Sequence, residues 1–411
     1  MSEISTLKKP LETAEEYVQS LRDMKTEIWA LGEKITGIPD HPLFVPHVNA
    51  VAKTYEMPFP VKSHLTGHTI NRFNHIHQST DDLVAKVKML RALNQQTGCC
   101  IQRCAGMDAL NATYIVTYEI DQKYGTDYHE RFKQFLVYLQ DYNLVTIGGL
   151  TDVKGDRSKK ANQQLDTEHP IDQGNFKYAC VGGECIAVFD DVFIPWKDVY
   201  MYKEYEFAGM FVEAFATAHR QNYGACKGGI ADVLLGATYG ICKVNGVERV
   251  GHVRDKMADM INLTETLYAG SIACSYEGRP TPSGAWRADT MLANITKHNT
   301  TKFVYEIDRI AHDLVGGLLA TLPAEADLRN PEIGPLIERY LAGNESMCTE
   351  DKIRLYRLVE TLSGGTAVVE SMHGAGSPQS QRIMMLRDAK LEEKLKLAQK
   401  LVDCEGACCG Q

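Results

Sequence analysis

Apolar residues return every three or four positions along most of this chain, and the pattern breaks in one long stretch. Residues 11–35 and 80–145 carry it with few breakers, for example in DDLVAKVKMLRALNQQ and ERFKQFLVYLQDYN, and predict helices. The proline-richer span His41–Pro60 reads as connection between them. At Gly148 the character changes. GGLTDVKGDRSKKANQQLDTEHPIDQGN is polar, with four glycines and a proline, and predicts loops and turns. YACVGGECIAVFDDVFIPW then gathers β-branched and aromatic residues and predicts one or two strands. From Phe207 to about Ala320 the helical period returns, in FAGMFVEAFATAHRQNYGACKGGIADVLLGATYGIC and MLANITKHNTTKFVYEIDRIAHDLVGGLL. KIRLYRLVETL and RIMMLRDAKLEEKLKLAQKLV close the chain as further helices, with HGAGSP between them. The expected plan is mainly α: an N-terminal helical domain (1–147), a trimmed β and loop segment (148–200) and a C-terminal helical bundle (201–411).

Composition narrows the class. The 411 residues are 44% hydrophobic and 24% charged, an ordinary globular balance. A net charge of −9 argues against a nucleic-acid partner, which calls for a basic face. No run of about 18 apolar residues predicts a membrane span. MSEISTLKKPLETAEEYVQSL reads as a capped helix start rather than a signal peptide, so cytoplasmic residence is the expectation. Twelve cysteines in such a compartment point to thiols or metal ligands rather than structural disulfides. Cys180, Cys185, Cys242, Cys274 and Cys348 sit in apolar or mixed stretches and read as small buried hydrophobes. Cys404, Cys408 and Cys409 read as incidental thiols on an exposed tail.

Four segments carry candidate chemistry. In GCCIQRCAGMDALNATY, Cys100 and Cys104 fall four apart within a helical pattern, one turn apart on one face. Alone, that spacing more often marks two packed thiols than a metal pair. In AHRQNYGACKGG, His219, Tyr223 and Cys226 stand at i, i+4 and i+7 on one helix face, with Lys227 adjacent. The two pairs together make a Cys3His set, which suits zinc or an iron–sulfur centre. In TDVKGDRS, Lys154 and Arg157 flank a glycine and could meet a pyrophosphate, though a solvated turn is the plainer reading. In ESMHGAGSPQSQR, Glu370 and His373 precede a loop of small residues, which reads equally as an interhelical turn stopped by Pro378.

Taken together, CIQRCAGMDA, TDVKGDRS, FDDVFIPW, EYEFAGMFVEAFATAHRQNYGACK, TLYAGSIACSYEG and ESMHGAGSPQSQRIM resemble the 4-hydroxybutyryl-CoA dehydratase family. That family belongs to the flavoprotein group of 4-hydroxyphenylacetate 3-monooxygenase, with the acyl-CoA dehydrogenase fold. The resemblance implies a 4Fe–4S cluster on Cys100, Cys104, His219 and Cys226, the register being fixed by CIQRC. It places Tyr223 and Lys227 beside the cluster, and Glu184 and Glu370 as active-site carboxylates. It assigns the turn containing Thr151, Lys154, Asp156 and Arg157 to flavin and CoA-thioester contact, and Gly316 and Gly317 to an FAD site formed across a dimer. It further implies a homo-oligomer, dimer or tetramer, acting on an acyl-CoA.

The implied chemistry is dehydration of 4-hydroxybutyryl-CoA or a similar short hydroxyacyl-CoA, with vinylacetyl-CoA isomerase activity beside it. The thioester acidifies only the α-proton, so the β C–H bond needs help. In the family a flavin removes one electron after α-deprotonation, a loosely held histidine takes a proton, and iron receives the leaving hydroxyl. His219 is the non-thiolate ligand such a role requires.

One departure bears on this. Only 26 residues separate Arg157 from Glu184, where the family carries a whole β-domain over one side of the flavin. At about five or six residues per strand they hold two or three short strands, not a barrel. The expectation is a retained cluster with FAD held weakly or not at all. Two readings stay open beside the flavin-dependent dehydratase: a flavin-free cluster-bearing lyase or non-catalytic paralogue, and a zinc-stabilised structural bundle.

Overall fold

Local signals set the helix ends. The computed structural model describes residues 9–24, 26–30, 32–101, 103–149, 189 and 191–402. Helix α1 (Ala14–Arg22) opens with a capping box between Thr13 and Glu16. After α2 (Val45–Glu56) come α3 (Thr80–Thr97), α4 (Arg103–Tyr124) and α5 (Tyr128–Tyr142). Ser79 caps α3 by accepting from the Asp82 N–H, and Gly98, at φ +58°, ends it. The C-terminal half holds α6 (Ala208–Val244), α7 (Gly251–Tyr276) and α8 (Thr290–Val315). Shorter helices follow: α9 (Glu325–Arg329), α10 (Gly334–Tyr340), α11 (Thr349–Gly364), α12 (Thr366–His373), α13 (Pro378–Asp388) and α14 (Leu391–Leu401). Strands among the described residues are confined to three small antiparallel hairpins, the largest pairing Pro60–Lys62 with Thr69–Asn71.

The 37-residue α6 runs through the middle and packs against α3, α4, α7, α8 and α11. Its sequence permits this because small residues appear where neighbours come close. A Cβ at Gly224 would collide with the Leu267 carbonyl on α7, and one at Gly229 would lie 2.6 Å from the Arg91 carbonyl on α3. Two apolar cores flank α6. Ile230, Leu234, Met260, Ile307 and Val359 join it to α7, α8 and α11. Val87, Leu90, Leu93, Met107 and Ala225 join it to α3 and α4, and Cys104 lies within that second core. The segments before and after the central stretch therefore share one body.

The expected helix over 11–35 is shorter than its pattern. It stops at Arg22, and the β-branched and aromatic run Thr26–Trp29 leads into a hairpin turned at Gly32, φ +80°. The closing run splits at Lys390, φ +49°, into α13 and α14. Of the expected strands in YACVGGECIAVFDDVFIPW, residues 178–188 and 190 lie outside the described residues, and 191–195 form none. Among the described residues no helix is long and apolar enough to cross a membrane.

Candidate active site

The site grows from the junction of α3, α4, α6 and α12. Because Gly98 ends α3 and α4 begins only at Arg103, Cys100 lies in the connection between them. Cys104 is the second residue of α4 and is buried. The helical i, i+4 geometry expected for this pair therefore does not hold. Arg103 anchors the turn from inside. Its guanidinium donates to Thr54 Oγ1 at 2.6 Å and lies over the Tyr55 and Phe73 rings at 5.0 and 4.9 Å. His219, Tyr223, Cys226 and Lys227 all stand on α6, as their spacing predicts, and Glu370 stands on α12.

Around His219 the geometry is closely specified. Its ring stacks on Phe215, centroids 5.6 Å apart, and meets Tyr223 edge-on at 5.5 Å. Its Nδ1 lies 2.8 Å from Asp108 Oδ2. Asp108 is fully buried, one turn beyond Cys104. The same oxygen accepts from Asn222 Nδ2 at 2.6 Å, and Oδ1 accepts from Lys86 Nζ at 2.9 Å. Lys86, also fully buried, donates to the Ala218 carbonyl at 3.0 Å. Burial alone would raise the Asp108 carboxyl, but Lys86 and His219 hold it below its usual range.

A second group centres on Glu370. Tyr223 donates to its Oε1 at 3.0 Å, and Lys227 pairs with its Oε2 while donating to the Ala367 carbonyl at 3.2 Å. Burial opposes ionisation of Glu370, yet Lys227 keeps the carboxyl below its usual range. Burial and the facing Glu370 push the Tyr223 phenol well up, so it stays protonated and donates. Gly374 makes room for this contact, since a Cβ there would strike the Tyr223 hydroxyl. Lys297 of α8 holds its ammonium 4.1 Å over the Tyr223 ring and donates to the Ser371 carbonyl; burial pushes it down to about 7.

The thiols face the same region. Burial pushes Cys226 up to about 11. Burial first, then the charges of Cys100, Asp108 and Cys226, raise Cys104 well above an ordinary thiol. Tyr223 and Lys227 each feel both Cys100 and Cys226. Thiols that raise one another in a buried place are costly as bare thiolates, and a cationic metal core would relieve that cost. Among the described residues no three His, Cys, Asp or Glu side chains close on a single point as one ion requires. A cubane makes a looser demand, because each terminal ligand binds a different iron. The donor set and its surroundings fit a cluster better than a lone zinc.

Two expected residues, Gly316 and Gly317, are not gathered here. Gly316 (φ +75°) and Gly317 follow α8 and face open space. By helical rise they lie roughly 28 Å beyond Lys297. Thr151, Lys154, Asp156, Arg157 and Glu184, with Cys180, Cys185, Cys404, Cys408 and Cys409, lie outside the described residues. Among the buried charges that escaped the sequence reading are Lys86, Asp108 and Lys297. Lys86 and Lys297 carried a legible signal, each being a charge set in a helix's apolar stripe, between Leu83 and Leu90 and between Ala293 and Val304.

Comparison with known proteins gives the arrangement a context. The family model described as 4-hydroxyphenylacetate 3-hydroxylase N terminal matches residues 13–172, and its C-terminal counterpart matches 208–403. The 4-hydroxybutyryl-CoA dehydratase/vinylacetyl-CoA-Delta-isomerase of Clostridium aminobutyricum is 39% identical over 95% of this chain and 99% of its own length. That alignment spans 487 positions against 411 residues here, so at least 76 positions, necessarily internal, have no counterpart in this chain. The solved structure of an oxygen-tolerant archaeal 4-hydroxybutyryl-CoA dehydratase from N. maritimus superimposes with TM-score 0.88 at 36% identity, covering 97% of this chain and 96% of that one. The oxygenase component of 4-hydroxyphenylacetate 3-monooxygenase, solved with FAD and 4-hydroxyphenylacetate, shares the fold at TM-score 0.74 and 19% identity, over 95% of this chain and 99% of that one. The fold is acyl-CoA dehydrogenase-like and mainly α.

Proposed function

The chain belongs to the 4-hydroxyphenylacetate 3-hydroxylase family, and from that premise we propose that it is a hydro-lyase dehydrating 4-hydroxybutyryl-CoA, or a similar short hydroxyacyl-CoA, to an enoyl-CoA. Vinylacetyl-CoA isomerase activity accompanies it in this reading. The observation that carries the proposal is near end-to-end similarity to the Clostridium dehydratase; the burial of Cys104 and Cys226, and the charge effects of Cys100 and Cys226 on Cys104 and Tyr223, support it.

Those four residues would hold a 4Fe–4S cluster. When bound, the cluster supplies a Lewis-acidic iron for the leaving hydroxyl, and FAD supplies one-electron chemistry. The chain's own groups do the rest. His219, tethered through Nδ1, presents Nε2, whose one lone pair would either ligate the cluster or, when not so engaged, accept the proton. Lys227, Tyr223 and Glu370 form a charge-balanced cradle. Both Glu370 oxygens are engaged, so it positions and polarises rather than removing a proton. That leaves Glu184 for the α-proton. Phe215 and the buried face of α6 exclude water from the reacting carbons.

The turn at Thr151, Lys154, Asp156 and Arg157 would take FAD and the thioester, and Gly316 and Gly317 would meet a second subunit's flavin in a homo-oligomer. With fewer internal positions than its relative, the chain holds FAD weakly. The visible spectrum of anaerobically purified protein tests the reading. A broad cluster shoulder, with flavin bands appearing on added FAD, supports it; a colourless protein refutes it.

A further inference from the structure

Buried ion pairs are expensive to build, because two charges leave water. Lys86 and Asp108 are both fully buried, and their contacts point one way. Lys86 is held by the Ala218 carbonyl, the residue before His219. Asp108 is held by Lys86 and by Asn222, three residues after His219. The oxygen that accepts from Asn222, Oδ2, also lies 2.8 Å from His219 Nδ1. Three helices therefore converge on one imidazole nitrogen: Lys86 from α3, Asp108 from α4, and His219 with Asn222 from α6.

We propose that the Lys86–Asp108 pair is a positioning device that fixes His219 as the Nδ1–H tautomer and aims Nε2 at the cluster. The inference rests on the cluster reading and adds residues to it. A carboxylate accepting from Nδ1–H leaves Nε2 with its lone pair outward, which a metal ligand and a proton acceptor both need. Lys86 Nζ, 2.9 Å from Oδ1, pins the carboxylate from its far side, so Oδ2 stays turned to the imidazole. Asn222 fills the other lone-pair direction of Oδ2 and stops the carboxylate rotating away. Phe215 and Tyr223 then limit how far the ring can swing.

The test compares anaerobically purified wild type, Asp108→Asn, Asp108→Glu and His219→Ala. It reads iron and sulfide content, the electron paramagnetic resonance spectrum of the reduced cluster and its midpoint potential. An asparagine in place of Asp108 can turn its amide N–H toward Nδ1 and favour the other tautomer. Asp108→Asn should keep its iron, since three thiolates remain, while its spectrum and potential move to those of His219→Ala. Dehydration should fall about 10- to 100-fold or more, the usual range for a partner behind a metal ligand. Asp108→Glu, which keeps the acceptor, should restore the wild-type spectrum in part. If Asp108→Asn does not fold, Lys86→Gln, which keeps a polar contact to Asp108, should show the same shift at smaller amplitude. A wild-type spectrum and potential in the folded variants, with His219→Ala altered, would overturn the positioning role. An unaltered His219→Ala, or a wild type without iron, would instead sink the cluster reading, and this inference with it.

Discussion

Asp308 offers a sharp test of how the interior handles charge. It lies on α8 beside a small cavity of about 20 Å³, room for one water, that it shares with Lys227, Ile230, Leu234, Val304 and Leu362. The residue is 7% exposed and its Oδ2 has no hydrogen-bond partner. Lys227, the charged group facing it from α6, is committed to Glu370. Burial therefore pushes the Asp308 carboxyl from 3.8 up to about 8, and Lys227 only partly offsets this. The sign follows from proton binding. Between those values the folded chain keeps a proton that the unfolded chain has lost, so stability falls as pH rises, by about 1.4 kcal/mol per pH unit. Below pH 4 both states are protonated and the contribution vanishes. Asp308→Asn has a similar shape and cannot ionise. From pH 5 to pH 8 wild type should therefore lose on the order of 4 kcal/mol relative to the variant. Anaerobic urea unfolding followed by circular dichroism at several pH values reads the difference directly. Parallel stability–pH curves for the two proteins would refute the argument, because only an Asp308 as solvated as in the unfolded chain would titrate alike in both states.

Gly374→Ala should displace Tyr223 from Glu370 and abolish most dehydration while melting changes by only a few degrees; activity assays beside thermal melts check this, and near-normal turnover would contradict it. Cys226→Ala should lose the cluster, whereas His219→Ala should retain iron but not turnover, since thiolates anchor the core and imidazole is the exchangeable ligand; iron and sulfide assays decide. FAD titrated into anaerobic flavin-free protein should bind weakly and wash out on gel filtration, more so in Arg157→Ala. Tight stoichiometric flavin would show the short central segment to be sufficient.

Much of this was legible in the chain, for identifiable reasons. The α6 run without proline fixed the face shared by His219, Tyr223 and Cys226, because a 3.6-residue period needs no tertiary knowledge. Cys100 was misplaced because CCIQRCAG is equally compatible with a helix. The left-handed stop at Gly98 and the inward pull of Arg103 decide it, and both depend on packing. The Asp108 contact escaped because its partners, Lys86 and His219, lie 22 and 111 residues away and only the fold unites them. Even so, a lysine inside the apolar stripe of α3 was a readable sign of a buried partner.

The most direct measurement is anaerobic incubation of the reconstituted protein with 4-hydroxybutyryl-CoA, in the presence of FAD, with products followed by mass. Conversion to an enoyl-CoA lighter by one water, absent in His219→Ala, is the predicted result. Unchanged substrate with a fully loaded, correctly folded wild type, or equal conversion by His219→Ala, would contradict the account.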